Sequence, residues 1–321
     1  MKTDKADAVK IARYALDNWA DLRDYTPMDT IRYDLKTLNR QFQLASKQRT
    51  ASANNLIALL EQSFPGIRKC FDSPVRSDGT QKWVDFAHTF WHVDCVRKQS
   101  LNAYSERYRK WCRRHGYIFK QSNAEEVYSL AKNAVVLVPK PEVTKVLVQE
   151  AANQLTSISR SVETYRAEME RLASMLPEYP VVMEMYGVGK SFGPQLMAEI
   201  GDVRRFERKQ SLVAFDGIDP IPNQSGDKNV RSNKSSKRGS PYLRKTLFNV
   251  MGIYLKCSPQ DEPVYQFLDR KRSEGKPFYV YMTAASNKFL RRYYAKVRDY
   301  LATLEDLSPV DMDSTGLQAL D

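Results

Sequence analysis

Between Gln224 and Phe248 the chain reads QSGDKNVRSNKSSKRGSPYLRKTLF, with Ser232, Ser235, Ser236 and Ser240 set among Lys228, Arg231, Lys234, Lys237 and Arg238. A serine hydroxyl is a useful nucleophile only when a base takes its proton and something stabilises charge on the group attacked. For a phosphate, the lysines and arginines meet the second need. No His or other evident base lies nearby in sequence, so the first is unmet locally. Gly239 permits an unusual backbone, and Ser240-Pro241 then opens a helix bearing Arg244 and Lys245. On the residues alone this is a phosphate-binding loop first and a nucleophilic serine second.

Upstream, VVMEMYGVGKSFGPQLMAEIG places Gly187 and Gly189 around Val188 between two apolar helical stretches, the second starting near Ser191. Glycines there let the backbone turn sharply and aim its amides outward beside a helix dipole and Lys190, which suits a phosphate. This is the pattern of a helix-hairpin-helix; an ordinary tight turn between core helices is the alternative. Asp4 and Asp7, three apart, share one helix face and offer two carboxylates to a divalent metal such as magnesium. Acids in a first helical turn also simply satisfy the helix dipole. A two-metal phosphoryl-transfer site needs three or four such ligands. His88, His92 and Cys95 have a spacing that fits one helix face, but an aromatic packing helix is the plainer reading, since no second ligand pair follows.

The net charge of the 321-residue chain is +12, with 42% hydrophobic residues. That apolar share argues against wholesale disorder, and the charge suits a polyanion. Residues 204–248 hold eleven Lys/Arg against four Asp/Glu, interleaved with Ser, Asn and Gly, a composition suited to a loop that approaches phosphates. No apolar run approaches the roughly 20 residues that span a bilayer, and no signal peptide is evident. Cys70, Cys95, Cys112 and Cys257 lack a framework spacing, as expected of reduced thiols in a cytoplasm. DNA or RNA is the expected partner, not a membrane.

The elements that must position these groups are mostly helical. KTDKADAVKIARYALDNW reads as a helix, and Thr26-Pro27 as the start of another. A heptad-like seam runs Ile31, Leu35, Leu38, Phe42, Ala45, Arg49, Ser52, Leu56, Leu59 and stops at Pro65-Gly66. A second runs Val148, Ala151, Leu155, Ile158, Val162, Tyr165, Met169, Leu172, Leu176 until Pro177. Their period predicts an antiparallel coiled coil, within one chain or across a dimer. Between them lies a helical insert with aromatic-rich WVDFAHTFWHV and basic ERYRKWCRRHGY. A helix from about Tyr279 to Leu304 closes the fold, ahead of a tail.

Taken together, YGVGKSFGPQLMAEIGDVRRF, LVAFDGIDP, the Gln224-Ser225-Gly226 step and SKRGSPYLRKTLF resemble, in order and spacing, the insertion-sequence transposases of the "IS one-ten" type. These are DEDD/serine recombinases directed by a guide RNA. The resemblance implies a RuvC-like (RNase H-fold) domain with an Asp-Glu-Asp-Asp metal site, a coiled coil, and a C-terminal domain whose SxxG serine is the nucleophile. That serine falls on Ser236, and KTDKADAVKIA places Asp4 and Asp7 on the third and fourth acidic positions. The first Asp and the Glu would precede Met1, so half of the metal site is expected to be absent.

The architecture expected is therefore mainly α. Residues 1–24 form the remnant of a RuvC-like domain, 25–65 and 142–177 the coiled-coil arms, and 66–141 the insert. Residues 178–304 form the serine transposase domain with its helix-hairpin-helix, and 305–321 a tail. The resemblance implies a DNA transposase using Ser236, Asp4, Asp7 and a divalent metal. Gly187, Gly189, Lys190, Arg231, Lys234, Lys237, Arg238 and Arg244 would hold nucleic acid. A homo-oligomer is expected through the coiled coil. The rivals are a non-catalytic helix-hairpin-helix DNA-binding protein and an inactive transposase remnant.

Overall fold

The computed structural model describes residues 4–17, 19, 28–138, 142–219, 224–225, 228–229 and 235–306. Two compact units are distinguished, Met1–Thr30 and Ile31–Asp321. The first contains helix α1 (Asp4–Asp17), with Asp4 and Asp7 in its first turn. The Thr26-Pro27 start falls outside the described residues.

The second unit is mainly α-helical. Helix α2 (Thr30–Ser63) is followed by α3 (Lys82–Thr89), α4 (Asp94–Arg97), α5 (Leu101–Arg114) and α6 (Gln121–Asn133). Then come α7 (Glu142–Ser174), α8 (Tyr179–Met183), α9 (Gly189–Ile200) and α10 (Lys209–Asp216). A two-residue ladder, β1 (Gln224–Ser225) against β2 (Lys228–Asn229), is antiparallel with Gln224 opposite Asn229. Helices α11 (Pro241–Cys257), α12 (Pro263–Ser273) and α13 (Phe278–Asp306) complete it. Among the described residues no helix is long and apolar enough to cross a membrane.

Helices α2 and α7 run antiparallel, as the order of their contacts shows. Arg49 Nη1 lies 3.4 Å from Glu163 Oε1, and the Arg166 guanidinium sits over the Phe42 ring. Leu35 and Phe42 share a core with Val162, Met169 and Leu172, whereas Leu56 and Leu60 share another with Val148, Ala151 and Leu155. Residue numbers rise along one helix as they fall along the other. The second seam also ends earlier than its spacing suggests, because α7 stops at Ser174 rather than at Pro177.

Each end of this pair seats a separate core. At one end α8 to α13 pack Leu196, Leu243, Leu247, Phe289, Leu290 and Tyr293 against Leu35 and Leu172. At the other, the insert packs Trp83, Phe86, Phe90, Tyr104, Tyr108 and Trp111 against Leu56 and Leu155. Phe86 and Phe90 stack at 4.7 Å, with Trp111 edge-on to both.

The stripe that α2 buries is not purely apolar. Arg32, Asn39 and Gln43 are buried with Leu35 and Phe42. Arg32 pairs with buried Glu178 through both guanidinium arms, Nη2 lying 2.9 Å from Oε2. A buried charge is tolerated only when paired and hydrogen-bonded, so this pair fixes where α2 meets the α7–α8 turn. A heptad reading sees only apolar spacing and passes over all three residues.

His88, His92 and Cys95 do not share a helix face. Helix α3 ends at Thr89 and α4 begins at Asp94, so the regular turn that would align them is missing. His92 is buried, its Nδ1 accepting from Asp94 N at 3.1 Å and its Nε2 lying 3.3 Å from Val138 O. It is a satisfied core histidine that caps a turn.

Candidate active site

The basic loop is held by two glycines that let two segments of backbone touch. Gly217 ends α10 in the left-handed region at φ 74°, and a Cβ there would sit 2.6 Å from Gly239 N. A Cβ on Gly239 would lie 1.8 Å from Phe215 O, so neither position accepts a side chain without the segments separating. Between these contacts Lys237 N donates to Gly217 O (2.9 Å) and Ser236 N to Asp219 O (3.0 Å). Arg244 Nη1 bridges the same two segments, donating to Asp216 O (2.7 Å) and Gly239 O (3.0 Å). Lys237 itself takes φ 52°, a strained conformation for a residue with a Cβ.

This clasp brings Ser236 onto a carboxylate. Ser236 Oγ donates to Asp219 Oδ1 at 2.5 Å, and both side chains are only partly buried. A charge-assisted hydroxyl–carboxylate bond of this length orients the Oγ lone pairs and offers its proton an acceptor. Asp219 is the group that inspection of the loop alone missed, since it lies seventeen residues upstream. The one signal for it is the Asp216-Gly217-Ile218-Asp219 step, whose glycine is needed for the close approach.

Lys237 and Arg238 next to Ser236 are exposed, and neither is held in an ion pair among the described residues. Arg244 is half-buried and spends Nη1 on backbone carbonyls, so it braces the loop as well as charging it. Arg231 and Lys234 lie outside the described residues. Ser235 is partly buried beside Ser236, while Ser240 caps α11, accepting from Leu243 N at 3.3 Å.

Beneath the loop lies a buried polar network. Ser240 Oγ donates to Glu199 Oε2 (2.6 Å), which also takes Arg40 Nη2 (3.0 Å), while Asn39 Nδ2 donates to Oε1 (2.7 Å). Further along α9, Gln195 Oε1 accepts from Gln43 Nε2 (2.8 Å) and Thr246 Oγ1 (3.2 Å). Lys245 Nζ reaches Gln43 Oε1 at 2.8 Å. Helices α2, α9 and α11 are thus locked in register under Ser236. Asp216, wholly buried, has no hydrogen-bond partner on either carboxylate oxygen among the described residues. Burial pushes its carboxyl up to about 7, Arg244 opposing and Glu199 adding to the shift.

The Gly187-Val188-Gly189 turn takes positive φ at both glycines, 75° and 50°, around a buried Val188. Helix α9 starts at Gly189, two residues before the sequence suggests, and Gly189 and Lys190 are exposed at its first turn. Asp4 is exposed on α1 and Asp7 lies 3.9 Å from Lys10. Among the described residues no three His, Cys, Asp or Glu side chains come together as metal ligands.

Comparison with known proteins places these features in one group. A family model described as "Transposase IS116/IS110/IS902 family" matches residues 179–266, which contain α8 to α11 and the Ser236 loop. A second transposase model, of the DEDD type from the same group, matches residues 1–65. An insertion element IS900 42 kDa protein from Mycobacterium paratuberculosis is 25% identical over 186 residues, covering 56% of this chain and 46% of that protein. The transposase for insertion sequence element IS1111A from Coxiella burnetii is 31% identical over 121 residues, 37% of this chain and 32% of its own length. A pilin gene-inverting protein from Moraxella bovis is 30% identical over 132 residues, 41% of this chain and 38% of its own. The chain spans about half or less of the length of these relatives.

Proposed function

Because the chain belongs to the IS116/IS110/IS902 family of insertion-sequence transposases, we propose that it cuts and rejoins DNA through Ser236, with Asp219 as the proton acceptor. The observation that carries this reading is the 2.5 Å bond from Ser236 Oγ to Asp219, in a loop whose neighbouring cations are exposed. In the step proposed, Oγ bonds to a DNA phosphorus while its proton passes to Asp219. The phosphorus–oxygen bond to one deoxyribose breaks, and that oxygen leaves as a hydroxyl after taking a proton from solvent. The product is a phosphoserine link and a nicked strand, and reversal onto another strand end completes exchange. Lys237 and Arg238 face the charge that builds on the phosphate. Arg231 and Lys234 supply further positive charge for the nucleic acid.

The Gly187-Val188-Gly189 turn, with Lys190, forms a helix-hairpin-helix that grips a second stretch of backbone without reading sequence. The helices α2 and α7 act as a coiled-coil arm that brings copies of the chain together. A guide RNA selects the DNA, and the reaction takes place in the cytoplasm of a bacterium or archaeon. The DEDD-type match brings divalent-metal use with it as a family trait. A metal such as magnesium would polarise the phosphate, and Asp4 and Asp7 would need further ligands to hold it.

The test is to incubate the full chain with guide RNA and a nicked DNA substrate that cannot religate, then denature. A covalent protein–DNA adduct that maps to Ser236 is expected. An adduct at another residue would overturn Ser236 as the nucleophile, and DNA binding with no adduct under any condition would favour a non-catalytic DNA-binding protein.

A further inference from the structure

The insert carries a charge excess that the Ser236 loop does not explain. Residues 66–141 hold fourteen Lys/Arg against seven Asp/Glu. Helix α5 buries Tyr104, Tyr108, Trp111 and Cys112 in the insert core and turns Lys110, Arg113 and Arg114 to solvent. The turn after α5 then gathers two more cations from elsewhere in the chain. Arg76 donates to the carbonyls of His115 (3.0 Å) and Gly116 (2.5 Å), and Lys82 Nζ to that of Ile118 (2.9 Å). Exposed Lys120 follows directly, ahead of α6.

The nearby acids are already engaged. Asp85 accepts from Tyr117 OH (2.6 Å), and Asp78 from Thr80 Oγ1 (2.7 Å). Among the described residues Lys110, Arg113, Arg114 and Lys120 form no ion pair. Crowding of like charges raises the energy of the free protein, and a polyanion relieves it. Burial lowers the pKa of Lys82, Cys112 opposing and Lys120 adding to the shift.

We propose that this basic end of the insert, built from Arg76, Lys82, Lys110, Arg113, Arg114 and Lys120, docks the sugar-phosphate backbone of a double-stranded nucleic acid. The surface extends the nucleic-acid reading of the Ser236 loop to a second place in the fold. A duplex fits better than a single strand because the patch has no open aromatic face for base stacking. Tyr117 is covered by Arg76 at 4.0 Å and Phe119 by Arg109 at 4.8 Å, while Tyr108 and Trp111 are buried. Lys110 and Arg114, one turn apart on α5, stand about 6 Å apart along its axis, within reach of neighbouring phosphates.

The experiment measures the affinity of the full chain for a 25-base-pair DNA duplex and an RNA duplex of equal length over a range of salt. Arg113→Ala/Arg114→Ala/Lys120→Ala changes only exposed side chains, and its melting curve checks the fold. The slope of log K against log salt is expected to become shallower by about two to three units with at least one duplex, which identifies the preferred one. The charge-preserving Arg113→Lys/Arg114→Lys protein should keep the original slope. Slopes unchanged with both duplexes would overturn the proposal. So would a variant that loses only binding to vesicles of anionic phospholipid, which would make the patch a lipid surface. A Lys237→Ala/Arg238→Ala protein measured alongside separates the two surfaces: loss there with none in the insert variant sinks this inference alone.

Discussion

Ser236 and Asp219 are bonded twice, backbone amide to carbonyl at 3.0 Å and hydroxyl to carboxylate at 2.5 Å. The double link fixes the hydroxyl rather than merely placing it nearby. Removing the hydroxyl and removing the acceptor should then have separable effects. Ser236→Ala is expected to abolish covalent adduct and strand exchange. Asp219→Asn, which keeps the shape and loses the base, should slow adduct formation by about 10²–10⁴-fold, the span typical of general-base removal. Both should bind DNA within a few-fold of the parent, and Ser235→Ala should be far milder. An Asp219→Asn protein of full activity would show that the carboxylate takes no proton.

The loop's exposed cations make a second expectation. Lys237→Ala/Arg238→Ala should flatten the salt dependence of duplex binding by about two slope units. A variant at Arg244 should behave differently, since its Nη1 braces Asp216 O and Gly239 O. Arg244→Ala is expected to lower the melting temperature as well as affinity, measured by calorimetry and by titration of the same samples.

Much of the helical frame was legible from spacing. Leu35, Phe42, Val162 and Leu172 recur at helical intervals and share one core, as do Phe289, Leu290, Tyr293 and Val297 of α13. Local signals also sufficed for Ser240-Pro241, which caps and opens α11 as those residue types do elsewhere. Asp219 was not legible. Its meeting with Ser236 depends on Gly217 and Gly239 allowing two backbones to touch, and no periodicity records that. Arg32, Asn39 and Gln43 hid for a related reason: their burial is decided by Glu178, Glu199 and Gln195, all more than a hundred residues away. His92, whose spacing fitted a ligand but read more plainly as packing, is buried, and its ring caps a turn.

The Arg32–Glu178 pair yields a stability prediction. Leaving Glu178 in the core without the Arg32 guanidinium should cost about 3–5 kcal/mol, because a buried carboxylate loses its ion-pair partner. Arg32→Met is expected to destabilise by that amount in denaturant titration. The double variant Arg32→Met/Glu178→Leu should recover most of the loss, since the buried carboxylate is gone as well. A double variant as unstable as Arg32→Met would mean that the pair itself, not the orphaned carboxylate, holds α2 to the α7–α8 turn.

Asp216 supplies a pH dependence with a definite sign. Its carboxyl is wholly buried without a hydrogen-bond partner among the described residues, and burial lifts its pKa from 3.8 to about 7, Arg244 opposing the shift and Glu199 adding to it. Between those two values the folded chain holds a proton that the unfolded chain has released. Stability from this group is therefore greatest at low pH and is lost as pH rises from about 4 to about 7. Above 7 the folded state carries a buried, unsatisfied carboxylate. Asp216→Asn removes the titration and keeps the volume. The variant should gain stability over the parent at pH 8, melting several degrees higher at about 2–4 °C per kcal/mol for a fold of this size. At pH 4 the two should melt together. Other carboxylates contribute their own slopes, so the quantity to compare is the difference between the variant and the parent at each pH. A difference that does not grow between pH 4 and pH 7 would show that Asp216 ionises freely in the folded chain.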